Sequence, residues 1–346
     1  MKLNFFIIGL AAAAGFWHTD LLMAQELVRM NEQKHFSQTV PAGNYSGICH
    51  VSGNTYALAD DKAENDGFRL VEIDIDSVSG ELRNVVDKGF VKGGSNKNRD
   101  AEGIVMLHGR NSVMVVGEAD NRVVEYSADG TETGRAVLLE PGTGNGGYES
   151  LGVDEERGVL YTCTENPLAH DVALTKDNEW IYRIQAFDTD SLSFMGSWLY
   201  KGDTPEGDKA NAGNYAFGVS ELLPVGGGKT LVLERECYVP KIKVGAWVNS
   251  KVYVAQLDIP SDSVASSHET GTFSRSLYGA ASPVEKRLLC QWKTRMTFLN
   301  HSFANYEGMC LGPKLEDGSQ CVILVADSQN QAYGMLKDWF KTIVIK

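Results

Sequence analysis

Apolar residues along this chain gather into short runs of strand length. Polar, glycine-rich turns separate them, and the runs recur in a fixed order. The plainest copy is Asn305–Pro313 followed by Val322–Asn330: the pair Glu307-Gly308 opens one apolar strand, a loop follows, and a second apolar strand ends on Asp327. Four upstream stretches repeat the arrangement: Tyr45–Ile48 with Tyr56–Asp60, Asp100–Ile104 with Val113–Glu118, Tyr148–Leu151 with Val159–Glu165, and Val219–Leu222 with Leu231–Glu234. A third run follows each pair, at Phe68–Ile75, Arg122–Tyr126, Trp180–Phe187, Val252–Leu257 and Lys341–Ile345. A fourth closes most units, at Leu82–Phe90, Arg135–Leu139, Leu192–Tyr200 and Arg287–Trp292. Runs of this length and composition between turn residues read as strands.

Repeats of more than ~40 residues built only of strands predict an all-β propeller of four-stranded antiparallel blades. Five units are legible, and the Ser-rich stretch Pro260–Ser282 leaves room for a sixth. The last unit shows only three strands before Lys346, whereas Glu26–Phe36 carries the β-compatible residues Leu27, Val28 and Met30. The N-terminal segment is therefore expected to supply the missing outer strand and close the ring, which removes an exposed edge.

In such a meander, with strand one innermost, the first residue of strand one and the last residue of strand two meet at the same mouth. The first ring is then Ser46, Glu102, Glu149, Ser220 and Glu307, and the second is Asp60, Glu118, Glu165, Glu234 and Asp327. Eight of these ten are carboxylates, and like charges raise one another's pKa. Compensation has to come from a bound cation, a protonated acid, or a basic neighbour such as Arg235. Clustered oxygen ligands without Cys or His suit Ca²⁺ first and Mg²⁺ second.

The candidate metal ligands are Glu102, Glu149, Glu307, Glu118, Glu165, Glu234 and Asp327. The first three are also the candidate catalytic groups, and Arg235, Ser46 and Ser220 are the candidate ligand contacts. Two readings stay open. Acids at strand ends also serve as blade-to-blade latches, which suits the second ring because every unit carries it. The first ring, with Ser in two units, suits an asymmetric ligand. Arg235 is either a neutralising partner or a bidentate grip for an anion.

Composition narrows the function. A chain of 346 residues is long enough for one propeller, and 45 acidic against 32 basic residues, a net charge of −13, argues against nucleic acid as partner. Lys2, the apolar run Phe5–Trp17 and Leu22-Met23-Ala24 before Gln25 read as a signal peptide over residues 1–24, too short to span a membrane. An exported, periplasmic or extracellular protein with a single domain over 25–346 is expected, most simply a monomer. No Cys-x-x-Cys occurs among the six cysteines, and Cys310 with Cys321 is the pair best placed for a disulfide, against buried free thiols as the alternative. The loops Gly93–Asn98, Pro141–Gly147 and Gly202–Asn214 are expected to rim the acidic mouth.

Familiar catalytic motifs are missing. Gly218-Val219-Ser220-Glu221-Leu222 lacks the second Gly of a nucleophile elbow and opens a strand, so Ser220 reads as structural or ligand-facing. His50 and His301 lie nearest the repeat and read as packing residues.

The motifs Asp100–Ile104, Gly147–Leu151, Gly218–Leu222 with Leu231–Arg235, and Asn305–Met309 with Val325–Asn330 together resemble the phytase-like family described as "esterase-like activity of phytase". More loosely, Glu307-Gly308 and Ser328-Gln329-Asn330 are similar to a blade of the calcium-dependent β-propeller phytases, whose calcium-lined mouth binds inositol phosphates. The resemblance implies a Ca²⁺-dependent hydrolase of phosphate or carboxylic esters, taking a small anionic ester at the mouth. The alternative is a non-catalytic propeller that holds a carbohydrate, peptide or partner protein around a structural calcium.

Overall fold

The computed structural model describes residues 25–94, 97–143, 146–174, 179–242, 244–259, 282–332 and 335–346. The signal-peptide segment and nearly all of Pro260–Ser282 lie outside the described residues, as do two residues in each of the loops after Gly93 and Pro141.

The strands are β1 (Leu27–Met30) and β2 (Lys34–His35), then β3 (Tyr45–Ser52), β4 (Thr55–Asp60), β5 (Gly67–Ile75) and β6 (Leu82–Lys92) in blade one. Blade two is β7 (Ala101–Leu107), β8 (Ser112–Gly117), β9 (Arg122–Ser127) and β10 (Glu132–Leu138). Blade three is β11 (Tyr148–Asp154), β12 (Val159–Thr164), β13 (Ile181–Asp188) and β14 (Phe194–Lys201). Blade four is β15 (Ala212–Gly226), β16 (Lys229–Pro240), β17 (Ala246–Gln256) and β18 (Lys286–Met296), and blade five begins with β19 (Asn305–Lys314), β20 (Gln320–Asp327) and β21 (Trp339–Ile345).

Each sheet is an antiparallel meander in chain order, and β3, β7, β11, β15 and β19 pack against one another in turn until β19 meets β3. The described residues thus form a propeller of five blades with strand one innermost. Its closure is the expected one: β1 and β2 both pair with β21, with Met30 opposite Ile343 and His35 opposite Trp339. The strands β1 and β2, which precede blade one, share a sheet with β21, so the last blade is completed by residues from the N-terminal part of the described chain.

Five apolar clusters hold the ring, one between each pair of neighbouring blades. Between blades three and four, for example, Tyr161, Tyr182 and Trp198 pack on Val219, Leu222 and Val232. This follows from the pattern, because a blade buried on both faces needs apolar residues on both sides of its inner strands.

Two expectations are corrected here. Gly202–Asn214 is not loop throughout: β15 starts at Ala212 and pairs to the end of β16 at Pro240. Blade four therefore overhangs the mouth, and β16 continues past Glu234. All six cysteines are buried free thiols; Cys310 faces Ile323 across the hairpin and Cys321 faces Val344, so the two never oppose each other.

Candidate functional site

The innermost strand of every blade carries a bulge at the same place. The register shifts between Tyr45 and Gly47, Ala101 and Ile104, Tyr148 and Ser150, Val219 and Glu221, and Tyr306 and Gly308. The residues inside the shifts are the predicted first ring: Ser46, Glu102, Glu149, Ser220 and Glu307. A bulge re-aims a side chain out of the ladder. Crowding forces it here, since a Cβ on Gly103 would lie 2.6 Å from the Leu151 amide and one on Gly308 would lie 2.8 Å from the Gly47 Cα.

Glu149 and Glu307 come together around Arg235 with Glu165, and Glu102 lies within electrostatic reach of Glu149 and Glu307. The Arg235 Nη2 lies 2.9 Å from Glu307 Oε1, 3.0 Å from Glu165 Oε1 and 3.9 Å from Glu149 Oε2. Burial, followed by the charges of Glu149, Asp61 and Glu307, pushes Glu102 well above the usual carboxylate range. Burial and Glu165 raise Glu149, and burial raises Glu307, while Arg235 opposes both shifts. Arg235 is thus the neutralising partner, only 5% exposed, and the overhang of β16 places it there.

Two acids that the sequence reading passed over complete the mouth. Asp61 follows the ring acid Asp60, as Arg235 follows Glu234, and Asp100 precedes β7 with φ 59°, a conformation Asp tolerates better than most residues. One oxygen each from Asp61, Asp100 and Glu102 lie within 4.8 Å of one another. Burial pushes Asp61 up to about 7 against the hydrogen bond from Lys62. Its buried Oδ1 has no hydrogen-bond partner, and Glu102, 5% exposed, makes no side-chain hydrogen bond or ion pair to any described residue. Oxygens around a Ca²⁺ stand about 2.3–2.6 Å from the ion, hence up to about 5 Å apart. The trio meets that spacing and is all oxygen.

The other candidates are engaged elsewhere. Ser46 donates to the carbonyls of Ala101 and Glu102 at 2.8 and 3.1 Å, and Ser220 to those of Leu233 and Tyr306 at 3.4 Å, so both latch blades and neither hydroxyl is directed at a ligand. Glu118 accepts from the Gly147 amide of the next blade at 2.8 Å. Glu234 turns away from the axis to the Tyr200 hydroxyl at 2.6 Å, the Asp203 amide at 2.9 Å and Lys286. Asp327 accepts from the Gln329 amide at 2.6 Å, and Asp60 from the Asn44 and Lys62 amides at 3.3 Å. The second ring is thus mainly architectural, with Glu165 as the member that reaches Arg235.

A family model described as "Phytase-like: Esterase-like activity of phytase" matches residues 40–329. The chain belongs to this family. No curated protein sequence matches it. Among solved structures it is similar to a streptogramin B lyase, at 11% identity over 91% of this chain and 98% of that one with TM-score 0.37. It is also similar to the β-propeller domain of Cps50 (Swd1) from Myceliophteria thermophila, at 7% identity over 93% and 100% with TM-score 0.37. A third is a GH43_12 retrieved from a capybara gut metagenome, at 12% identity over 92% and 53% with TM-score 0.44.

Below the mouth, the phytase-like propeller is plugged on its axis. Where other blades have Gly47, Gly103, Ser150 and Gly308, blade four has Glu221, 1% exposed. Its Oε1 accepts from the amides of Leu151 at 3.1 Å and Leu222 at 2.9 Å, and its carboxylate also from that of Met309. Three neighbouring blades are pinned by one side chain, and burial holds its pKa well above the carboxylate range. Beyond it, a cavity of about 370 Å³ lined by Ile48, Ile104, Leu151, Leu222 and Met309 opens toward His50 and His108 at the other end of the strands. Glu221 was legible as a Glu in a Gly/Ser column, a signal visible only once the five units are aligned.

Proposed function

We propose that this phytase-like propeller is an exported, divalent-cation-dependent hydrolase of phosphate or carboxylic esters, with Ca²⁺ preferred over Mg²⁺. The observation that carries the reading is Glu102, buried without a partner among the described residues, beside Asp61 and Asp100 in an all-oxygen trio. These three residues would hold the cation. When bound, it supplies charge to an ester's anionic oxygen and acidifies a coordinated water. Glu307 and Glu165 keep Arg235 stationary, and Asn305 Nδ2 donates to Glu307 Oε1 at 2.6 Å, so Glu307 positions and does not take a proton. Glu149, at 3.9 Å from Arg235 and outside direct hydrogen-bonding range of it, would accept a proton from an attacking water.

The test uses the purified protein with p-nitrophenyl phosphate and p-nitrophenyl acetate, in Ca²⁺ and in chelator. Turnover that chelator abolishes, and that Glu102→Gln and Glu149→Gln each reduce by roughly 100-fold or more, is the expected result. Turnover indifferent to both refutes it. No turnover, together with a carbohydrate or peptide that raises the melting temperature, would favour the non-catalytic propeller. Export is checked separately: the secreted protein should begin at Gln25.

A further inference from the structure

The mouth contains a cation of its own. The Lys62 Nζ lies 2.9 Å from Asp61 Oδ2 and 2.5 Å from Asp100 Oδ1. These residues supply two of the three carboxylates that would hold the divalent ion, so lysine and metal compete for one pair of acids. Resting on the cation-binding reading above, we propose that Lys62 is a tethered counter-ion that the divalent cation displaces, and that the released ammonium then binds the anionic oxygens of the substrate.

The two sides of this contact differ in freedom. The acid side chains are largely covered, Asp61 14% and Asp100 31% exposed, whereas that of Lys62 is 59% exposed. The Lys62 amide is anchored by Asp60 Oδ1 at 3.3 Å, which fixes the backbone and leaves the four-carbon stem free to swing. Displacement is easy because ion pairs open to solvent contribute little. Staying put is costly, because an ammonium and a divalent ion on the same carboxylates repel each other strongly at 3–4 Å.

Arg235 cannot do this work. It is buried and engaged by Glu165 and Glu307, and moving it would strand both. Lys286 is paired with Glu234 away from the axis. An anionic ester entering a cup lined by glutamates needs a positive side chain that can move to meet it, and Lys62 is placed to do so. The order of events follows: cation first, anion second.

Calorimetry on chelator-stripped protein tests this with two probes, Ca²⁺ alone and then inorganic phosphate on the Ca²⁺-loaded protein. Lys62→Gln should bind Ca²⁺ roughly tenfold more tightly than wild type and phosphate roughly tenfold more weakly, opposite signs from one substitution. Wild type without Ca²⁺ should show no phosphate binding at the same concentrations. If Ca²⁺ binds both proteins equally, or if phosphate binds Ca²⁺-loaded K62Q as well as wild type, the displacement is wrong while the cation site stands. If wild type binds no Ca²⁺, the cation reading itself falls and this inference with it. An unchanged thermal melt of K62Q excludes a folding defect, which the exposure of the side chain already disfavours.

Discussion

Replacing Arg235 with Met is the sharpest test of how the mouth is held. The side chain is 5% exposed and faces Glu307 at 2.9 Å, Glu165 at 3.0 Å and Glu149 at 3.9 Å. Methionine keeps most of the volume, so the change removes charge without opening a large cavity. Each close pair is worth roughly 5 kcal/mol in Coulomb attraction at an effective dielectric of about 20, but the arginine's own desolvation offsets much of that. Breaking a buried pair while leaving its partner charged costs about 3–5 kcal/mol net. At near 2 °C per kcal/mol for a chain of this size, the melting temperature should fall by about 5–10 °C at pH 7.

The pH dependence separates lost charge from lost packing. Arg235 holds Glu149 and Glu307 down against burial, so without it their folded-state pKa values rise further above the unfolded value near 4.3. A group raised in the folded state contributes stability that is complete below its unfolded pKa and lost as pH rises through the folded one. The deficit of Arg235→Met should therefore grow from pH 5 to pH 8, by about 1.4 kcal/mol per pH unit for each extra proton bound. Urea denaturation at pH 5, 6, 7 and 8 in chelator measures it. A deficit below about 1 kcal/mol that does not change with pH would refute the idea that this arginine neutralises the cup.

Two further substitutions probe buried acids outside the cluster. Glu125 of β9 is 1% exposed, and burial is outweighed by Ser112, Thr133, Arg110 and Arg135, which hold it at about 2. A depressed pKa contributes stability above pH ~4.3 that is lost as pH falls toward 2, so Glu125→Gln should cost about 3 kcal/mol at pH 7 and little at pH 2, read by denaturant titration. Glu221 has the opposite sign: its raised pKa contributes stability that is lost as pH rises, so Glu221→Gln should match wild type within about 1 kcal/mol at pH 5 and gain on it steadily as pH rises. A Gln variant less stable at pH 9 than wild type would contradict that assignment.

The repeat was readable because it is written in strands that alternate with turns, and the acids at strand ends are part of the repeat. The five-blade ring and its closure by β1 follow from counting strands against an unpaired edge. The gathering of Glu102, Glu149 and Glu307 was legible for the same reason, since residues at one repeat position share one end of the axis. Direction was not legible. Glu118, Glu234 and Asp327 occupy the same repeat position as Glu165, yet the first two turn to the backbone or side chains of neighbouring blades, and Asp327 to its own loop. Which way a strand-end side chain turns depends on bulge and loop geometry that no spacing encodes. Asp61 and Asp100 were missed because Asp61 lies one residue past its ring position and Asp100 two residues before its own, and neither position is acidic in the other units.

The residues that break the repeat therefore bear more on function than those that keep it. At the position after the second-ring acid the chain has Asp61, Ala119, Asn166, Arg235 and Ser328. The two charged members, in blades one and four, make the acid trio and the neutralising centre respectively. At the axial position, Glu221 alone replaces Gly or Ser, again in blade four, whose inner strands are also the ones that overrun the mouth. A five-fold arrangement of identical carboxylates would hold a cation on the axis, equally shared by all five blades. Arg235 is nearest Glu149, Glu165 and Glu307, whereas the opposite side, Glu102 with Asp61 and Asp100, has the exposed Lys62 as its counter-charge. On the reading proposed above, this asymmetry would confine a cation to one side of the cup, with Glu149, on the blade between that side and the arginine, as the proton acceptor.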